Sequence, residues 1–175
     1  MKKIILIKIF IIVVFLTKSY AYDFIISSVP FFPSKAYQCG PTSLAMVLNF
    51  WGINIKPSEI ASEIYSKDAK GTSDFDMLFY AKKFGLKVEQ YRGNLDDLKD
   101  KIKRGHPLIV MVDEGFWFYK KYHYMVVVGF SEGEIIVNSS DKERERIEIE
   151  KFLNKWNKTD FWTLYIYREV KNGSS

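Results

Sequence analysis

The run from Tyr37 to Gly52 (Tyr-Gln-Cys-Gly-Pro-Thr-Ser-Leu-Ala-Met-Val-Leu-Asn-Phe-Trp-Gly) most restricts what this chain can fold into. Pro41 suits a first helical turn, where its missing N–H would have no partner and its fixed φ is already helical. Leu44, Val47, Leu48 and Trp51 recur at helical spacing, and Gly52 supplies a C-terminal stop. The helix therefore begins at Cys39, the only cysteine of the 175 residues. A thiol at a helix start faces unpaired N–H groups and the positive end of the dipole. Cysteines so placed can titrate as low as roughly 3.5–7.5, so a reactive thiolate is expected at Cys39. A lone cysteine is otherwise most often a small buried hydrophobe.

Residues 1–21 read as a secretory signal peptide: Met1-Lys2-Lys3 is basic, Ile9 to Leu16 is unbroken apolar, and Ser19-Tyr20-Ala21 places small residues at the cleavage positions. Lys8 and Lys18 leave the apolar run short for a membrane span, and an uncleaved anchor is the alternative. The segment also accounts for the charge. Its four lysines and absence of acids remove four from a net +5, leaving about +1 for the remainder. No basic footprint for nucleic acid survives that excision. The expected location is exported, periplasmic or extracellular. A single cysteine can form no internal disulfide there, which favours a reactive thiol.

Residues 22–170 then read as one domain, followed by a flexible tail at 171–175. Tyr22 to Ser28 suggests a strand or arm leading to Val29-Pro30-Phe31-Phe32-Pro33, which two prolines keep extended. Helices are expected from Cys39 to Gly52, Pro57 to Tyr65, Asp74 to Phe84 (capped by Ser73) and Asn94 to Lys103. Leu86 to Tyr91 and the strongly apolar Leu108 to Val112 are strands. Tyr124–Phe130, Glu134–Val137, Arg146–Ile149 and Trp162–Tyr167 form a later ladder, with a short helix over Glu150–Trp156. Helices first and antiparallel strands afterwards define an α+β domain.

A thiol nucleophile needs a base, and the base needs a partner to orient it. Of the two histidines, His106 lies in the turn Arg104-Gly105-His106-Pro107, the ordinary place for a structural one. His123 opens the strand His-Tyr-Met-Val-Val-Val-Gly-Phe, where a polar residue can be pinned at the edge of a cleft. Asn138 ends the next strand and could fix the His123 tautomer, with Ser139 or Asp141 as competitors. Asp113 to Tyr122, rich in aromatics, runs straight into His123. It reads either as a flap lining a substrate groove or as an aromatic surface patch or partner interface. The run Asp141-Lys-Glu-Arg-Glu-Arg146 reads as a solvated turn. One cysteine and two separated histidines make no metal cluster, and no cofactor is implied.

Val29-Pro-Phe-Phe-Pro, the Cys39 helix, Gly105-His-Pro-Leu-Ile-Val and His123-Tyr-Met-Val-Val-Val-Gly resemble the bacteriocin-processing, double-glycine peptidase family of papain-like cysteine peptidases. The similarity is nearest to its stand-alone exported bacterial type and covers roughly residues 29–167. It implies a papain-like fold, with N-terminal helices packed on an antiparallel sheet, that hydrolyses peptide bonds in a peptide or protein substrate. Cys39 would be nucleophile, His123 general base, and the third position, usually Asp, would fall on or near Asn138. The family's oxyanion-hole glutamine, five or six residues before the cysteine, is replaced here by Ser34 and Pro33. Gln38 is the substitute candidate. Two rival readings remain: a Cys-His acyltransferase or cell-wall amidase, and a non-catalytic peptidase-like domain that binds peptides.

Overall fold

The computed structural model describes residues 23–169. Residues 1–21, read above as a signal peptide, and the tail 171–175 lie outside the described residues. Helix α1 (Cys39–Phe50) is buried continuously from Gly40 to Leu48. A helix apolar on all sides must be covered on all sides, and α1 packs between the sheet and helices α2 (Pro57–Ile64) and α3 (Asp74–Lys82). Gly52 ends it at φ 86°, where a Cβ would be strained. Trp51 Nε1 donates to the Ile166 carbonyl at 2.8 Å, tying the helix end to the last strand. The side chains of Ser73 and Asn94 cap α3 and α4 (Leu95–Lys103) by accepting from Asp76 N and Asp97 N, as their sequences lead one to expect.

The strands are β1 (Phe24–Ile25), β2 (Lys87–Arg92), β3 (Leu108–Asp113), β4 (Tyr122–Phe130), β5 (Glu134–Ser139), β6 (Lys142–Glu148) and β7 (Trp162–Tyr167). They form one seven-stranded antiparallel sheet in the order β2-β7-β3-β4-β5-β6, with β1 joining β4 beyond the end of β3. Helices cover both faces. Tyr124, Val126 and Val128 of β4 point into the cluster under α1–α3. Met125, Val127 and Phe130 point into a second cluster under α4 and α5 (Ile149–Asn157). Double coverage explains why β3 and β4 read as unbroken apolar runs rather than alternating ones.

Two expectations are corrected. The charged run 141–146 is not simply a turn: from Lys142 onward it is the edge strand β6, whose charged side chains suit an edge facing water. The N-terminal strand shrinks to Phe24–Ile25, because the prolines lead the chain off as an extended arm. That arm crosses the sheet end, with Ile26 N donating to Val128 O and Ser34 N to Ser140 O. It enters α1 through Tyr37, a non-glycine residue at φ 64°.

The arm hangs on β1, and β1 on a close approach at Gly129, where a Cβ would lie 2.4 Å from the Phe24 carbonyl oxygen and 3.2 Å from Ile25 Cα. Gly129→Val should force β1 off the sheet and destabilise the fold by about 1–3 kcal/mol. Urea unfolding checks this, and an unchanged midpoint would show that β1 adds nothing.

Candidate active site

Cys39 sits at the first residue of α1, half-buried, and its thiol is free. The helix N-terminus presses onto β4: the backbone N–H groups of Tyr124, Gly40 and Cys39 itself lie towards the sulfur and favour its ionised form. Burial outweighs them. Desolvation pushes the thiol above its ordinary pKa, and the Glu114 charge adds to the rise. The expectation of a depressed thiol pKa from helix position alone is therefore corrected. The dipole and amides are present, but burial outweighs them.

His123 is the neighbour of Tyr124 on β4, buried at 8% exposure. Its Nε2 lies 2.9 Å from Ser139 Oγ, with Ser140 Oγ at 3.5 Å. Desolvation lowers its pKa below the ordinary histidine value, opposed by the negative charge of Glu114. The thiol is thus pushed up and the imidazole down, so each group is favoured in its uncharged form at rest.

Asn138 does not meet His123. Its Oδ1 accepts from Arg144 N at 2.9 Å, bracing the irregular β5–β6 pairing. Side chains alternate along a strand, so the residue after Asn138 points the other way. That residue, Ser139, shares a face with His123 and holds its ring. Of Asn138 and its competitors Ser139 and Asp141, the side chain that meets the His123 ring is therefore that of Ser139. Asp141 is exposed and pairs with neither ring nitrogen.

Gln38, the residue before Cys39, is half-buried and does not cap α1 with its side chain. Ser34, where the family glutamine would stand, donates its Oγ to Lys35 O and its N–H to Ser140 O. Glu114 carries no motif that sequence reasoning could have seized on. It becomes visible only when β3 and β4 pair and bring the ends of both strands together. Its carboxylate pairs with Lys121 at 3.2 Å and Lys155 at 4.0 Å. It also borders an open cavity of about 660 Å³ that Ser139 and Ser140 help to wall. His106, at the opposite end of β3, hydrogen-bonds Tyr165 and stacks edge-on to Trp51 at 5.3 Å between ring centres, a structural placement.

An N-terminal thiol helix packed on an antiparallel sheet, with a histidine opening the facing strand, is the papain-like α+β cysteine peptidase fold. The chain belongs to the Peptidase_C39-like family, which matches residues 26–163. Among related sequences, an uncharacterised protein of Methanothermobacter thermautotrophicus is 31% identical over 102 residues, 58% of this chain and 64% of that protein. One from Methanothermobacter marburgensis is 28% identical over 65% of this chain and 72% of its own. The peptidase domain of Streptococcus ComA, a bifunctional ABC transporter of a quorum-sensing pathway, superposes with a TM-score of 0.67 at 23% identity, covering 81% of this chain and 99% of that one. A double-glycine-motif protease of an AMS/PCAT transporter, solved with a leader peptide, superposes at 0.63 and 23% identity over 81% and 92%. A C39-like protein from Bacillus anthracis reaches 0.71 at 19% identity over 86% and 100%.

A raised thiol pKa has a direct readout. Iodoacetamide alkylation of Cys39 should increase in a single step centred above the ordinary thiol value of about 8.5. A reactive plateau extending below pH 6 would instead reveal a standing thiolate–imidazolium pair.

Proposed function

We propose that this chain is an exported cysteine peptidase in which Cys39 attacks a peptide carbonyl and His123 moves the protons. One observation carries the reading: the Cys39 sulfur lies at the Tyr124 amide, the next residue along β4 from His123, whose Nε2 is hydrogen-bonded to Ser139. The imidazole, neutral at rest, takes the thiol proton as sulfur bonds to the carbonyl carbon. The C=O electrons move onto oxygen, and the backbone N–H groups at the start of α1 are the donors available to that oxyanion, with the Gln38 amide as a side-chain candidate. Collapse restores the carbonyl and expels the amine, which leaves with the proton from His123. Water then attacks the thioester, His123 takes its proton, and the thiol returns with the carboxylic acid released. Glu114 favours the transient imidazolium. A peptide substrate is further supported by the related protease solved with a leader peptide. Export rests on the character of residues 1–21.

A peptidase-like domain that binds peptides without cutting them is the second reading. The raised thiol pKa and the absence of a glutamine at positions 33 and 34 favour it. Mass spectrometry of an unfolded-protein digest or peptide library separates the two. Cys39→Ala and His123→Ala should each abolish the cleavages seen with the unaltered chain, while melting temperatures stay close to it. Cleavage by Cys39→Ala would remove the assignment.

Ser139 acts through His123, so its effect should appear in the pH profile. A carboxylate beside Nε2 favours the imidazolium. Ser139→Asp should therefore raise the His123 pKa and move the acid limb of kcat/KM to higher pH. Ser139→Ala should lower kcat by about tenfold, within the range typical of general acid–base positioning. An unmoved acid limb in Ser139→Asp would show that Ser139 does not govern the base.

A further inference from the structure

Between β3 and β4, Phe116, Trp117, Phe118 and Tyr119 expose 84, 90, 91 and 66% of their surface, and Tyr122 exposes 50%. The loop beneath them is firmly built. Asp113 Oδ1 accepts from Gly115 N at 2.8 Å and Lys121 N at 2.9 Å, and Glu114 N donates to Lys121 O. Tyr119 N closes a turn onto Phe116 O at 3.1 Å, with Trp117 at φ 55°. Lys158 Nζ donates to the Gly115 carbonyl from outside. A braced stem thus presents a tip that buries almost nothing of itself. Fully covered, such rings bury about 150–250 Å² each, so the patch rivals the largest on typical soluble monomers, about 300–600 Å².

The shape and chemistry of the tip narrow its partner. None of the four aromatics from Phe116 to Tyr119 walls the cavity beside Ser139, so they form a projection rather than the side of a groove. Trp and Tyr with adjacent lysines is the composition found where protein meets the headgroup layer, with rings at the boundary and ammonium groups in the polar zone. Lys120 and Lys121 follow the tip directly, and Lys155 and Lys158 flank its base. Glu114 offsets only part of that charge. Clustered lysines next to exposed aromatics complement anionic headgroups.

We propose that loop 114–122 seats on a lipid bilayer carrying anionic headgroups, with Phe116, Trp117 and Phe118 in the interface. Because the loop runs directly into His123, seating it would hold the thiol–imidazole site at the membrane surface, where peptides leaving or lying on a bilayer are found. A tether preceding Asp23 would not do this alone. β1 pairs with the Phe130 end of β4, roughly 26 Å from the loop at 3.3 Å per strand residue.

The test uses the full chain with vesicles of phosphatidylcholine and phosphatidylglycerol that carry bromines near the headgroup end of the acyl chains. Trp117 is the one highly exposed tryptophan: Trp156 and Trp162 are buried and Trp51 is half-buried. Rings seated about 5–10 Å into the headgroup boundary come within bromine quenching range. The unaltered chain should lose emission that Trp117→Phe does not lose. The loss should shrink with pure phosphatidylcholine, in Lys120→Glu, and in the double variant Phe116→Ser/Phe118→Ser. The buried tryptophans report that each variant is folded. Equal quenching of the unaltered chain and Trp117→Phe overturns the proposal, including the case in which the chain is bound only through its first residues. Quenching of Trp117 that is indifferent to phosphatidylglycerol overturns the role given to the lysines. Unchanged emission with vesicles, together with loss of soluble unfolded-protein hydrolysis in the double serine variant, would also overturn it and place the loop in the substrate groove.

Discussion

The contact between the first turn of α1 and β4 decides where everything else can be. Gly40 lies so near α3 and the loop before it that a Cβ would stand 3.1 Å from Thr72 Cβ and 3.2 Å from Met77 Sδ. The Tyr124 hydroxyl reaches over to the Thr72 carbonyl. Helix, loop and strand thus meet at one point, and Cys39 is fixed at that point by packing rather than by any bond of its own. A buried helix with nine consecutive covered residues has little freedom to slide, because close-packed interiors transmit displacement instead of absorbing it. The alignment of sulfur with β4 is therefore a property of the core.

The same packing sets the electrostatics. Three N–H groups and a helix dipole would stabilise a thiolate in an open setting. Here the removal of water outweighs them, and His123 is likewise held towards its uncharged form. Glu114 acts on both groups: it disfavours the thiolate and favours the imidazolium. Its balance is shared with Lys121 and Lys155. The charge state of the site thus depends on a residue at the end of β3 and on a lysine in α5, two elements remote from each other in sequence.

Most of the fold was legible because local signals and the tertiary structure agree. Pro41, Ser73 and Asn94 mark helix starts, and Trp162–Tyr167 coincides residue for residue with its strand. The sites of disagreement share a cause. The run 141–146 looks like a turn because its charge obscures β-pairing, which depends on the partner strand and not on the segment itself. Asn138 and Ser139 differ by one residue, and in a strand one residue is a change of face. Counting positions to the end of β5 could not decide which of them meets the imidazole; the irregular pairing with β6 decides it. Burial at Cys39 was hidden for a similar reason, since helix position is local and desolvation is not.

Ser34, where the resemblance leads one to expect a glutamine, and Ser139, which contacts the His123 ring, are brought close in space. Ser34 N donates to the carbonyl of Ser140, the residue after Ser139, so the arm and the strand that support the imidazole are stitched together at that point. An acid at 139 would add a buried charge beside a half-buried Glu114, and each would raise the cost of ionising the other. A serine supplies the hydrogen bond without that charge. Ring orientation is thereby separated from ring electrostatics: Ser139 holds Nε2 in place, while Glu114, paired outward with lysines, provides the negative field. That division keeps a second uncompensated charge out of the interior, and burial holds the imidazole towards its uncharged form.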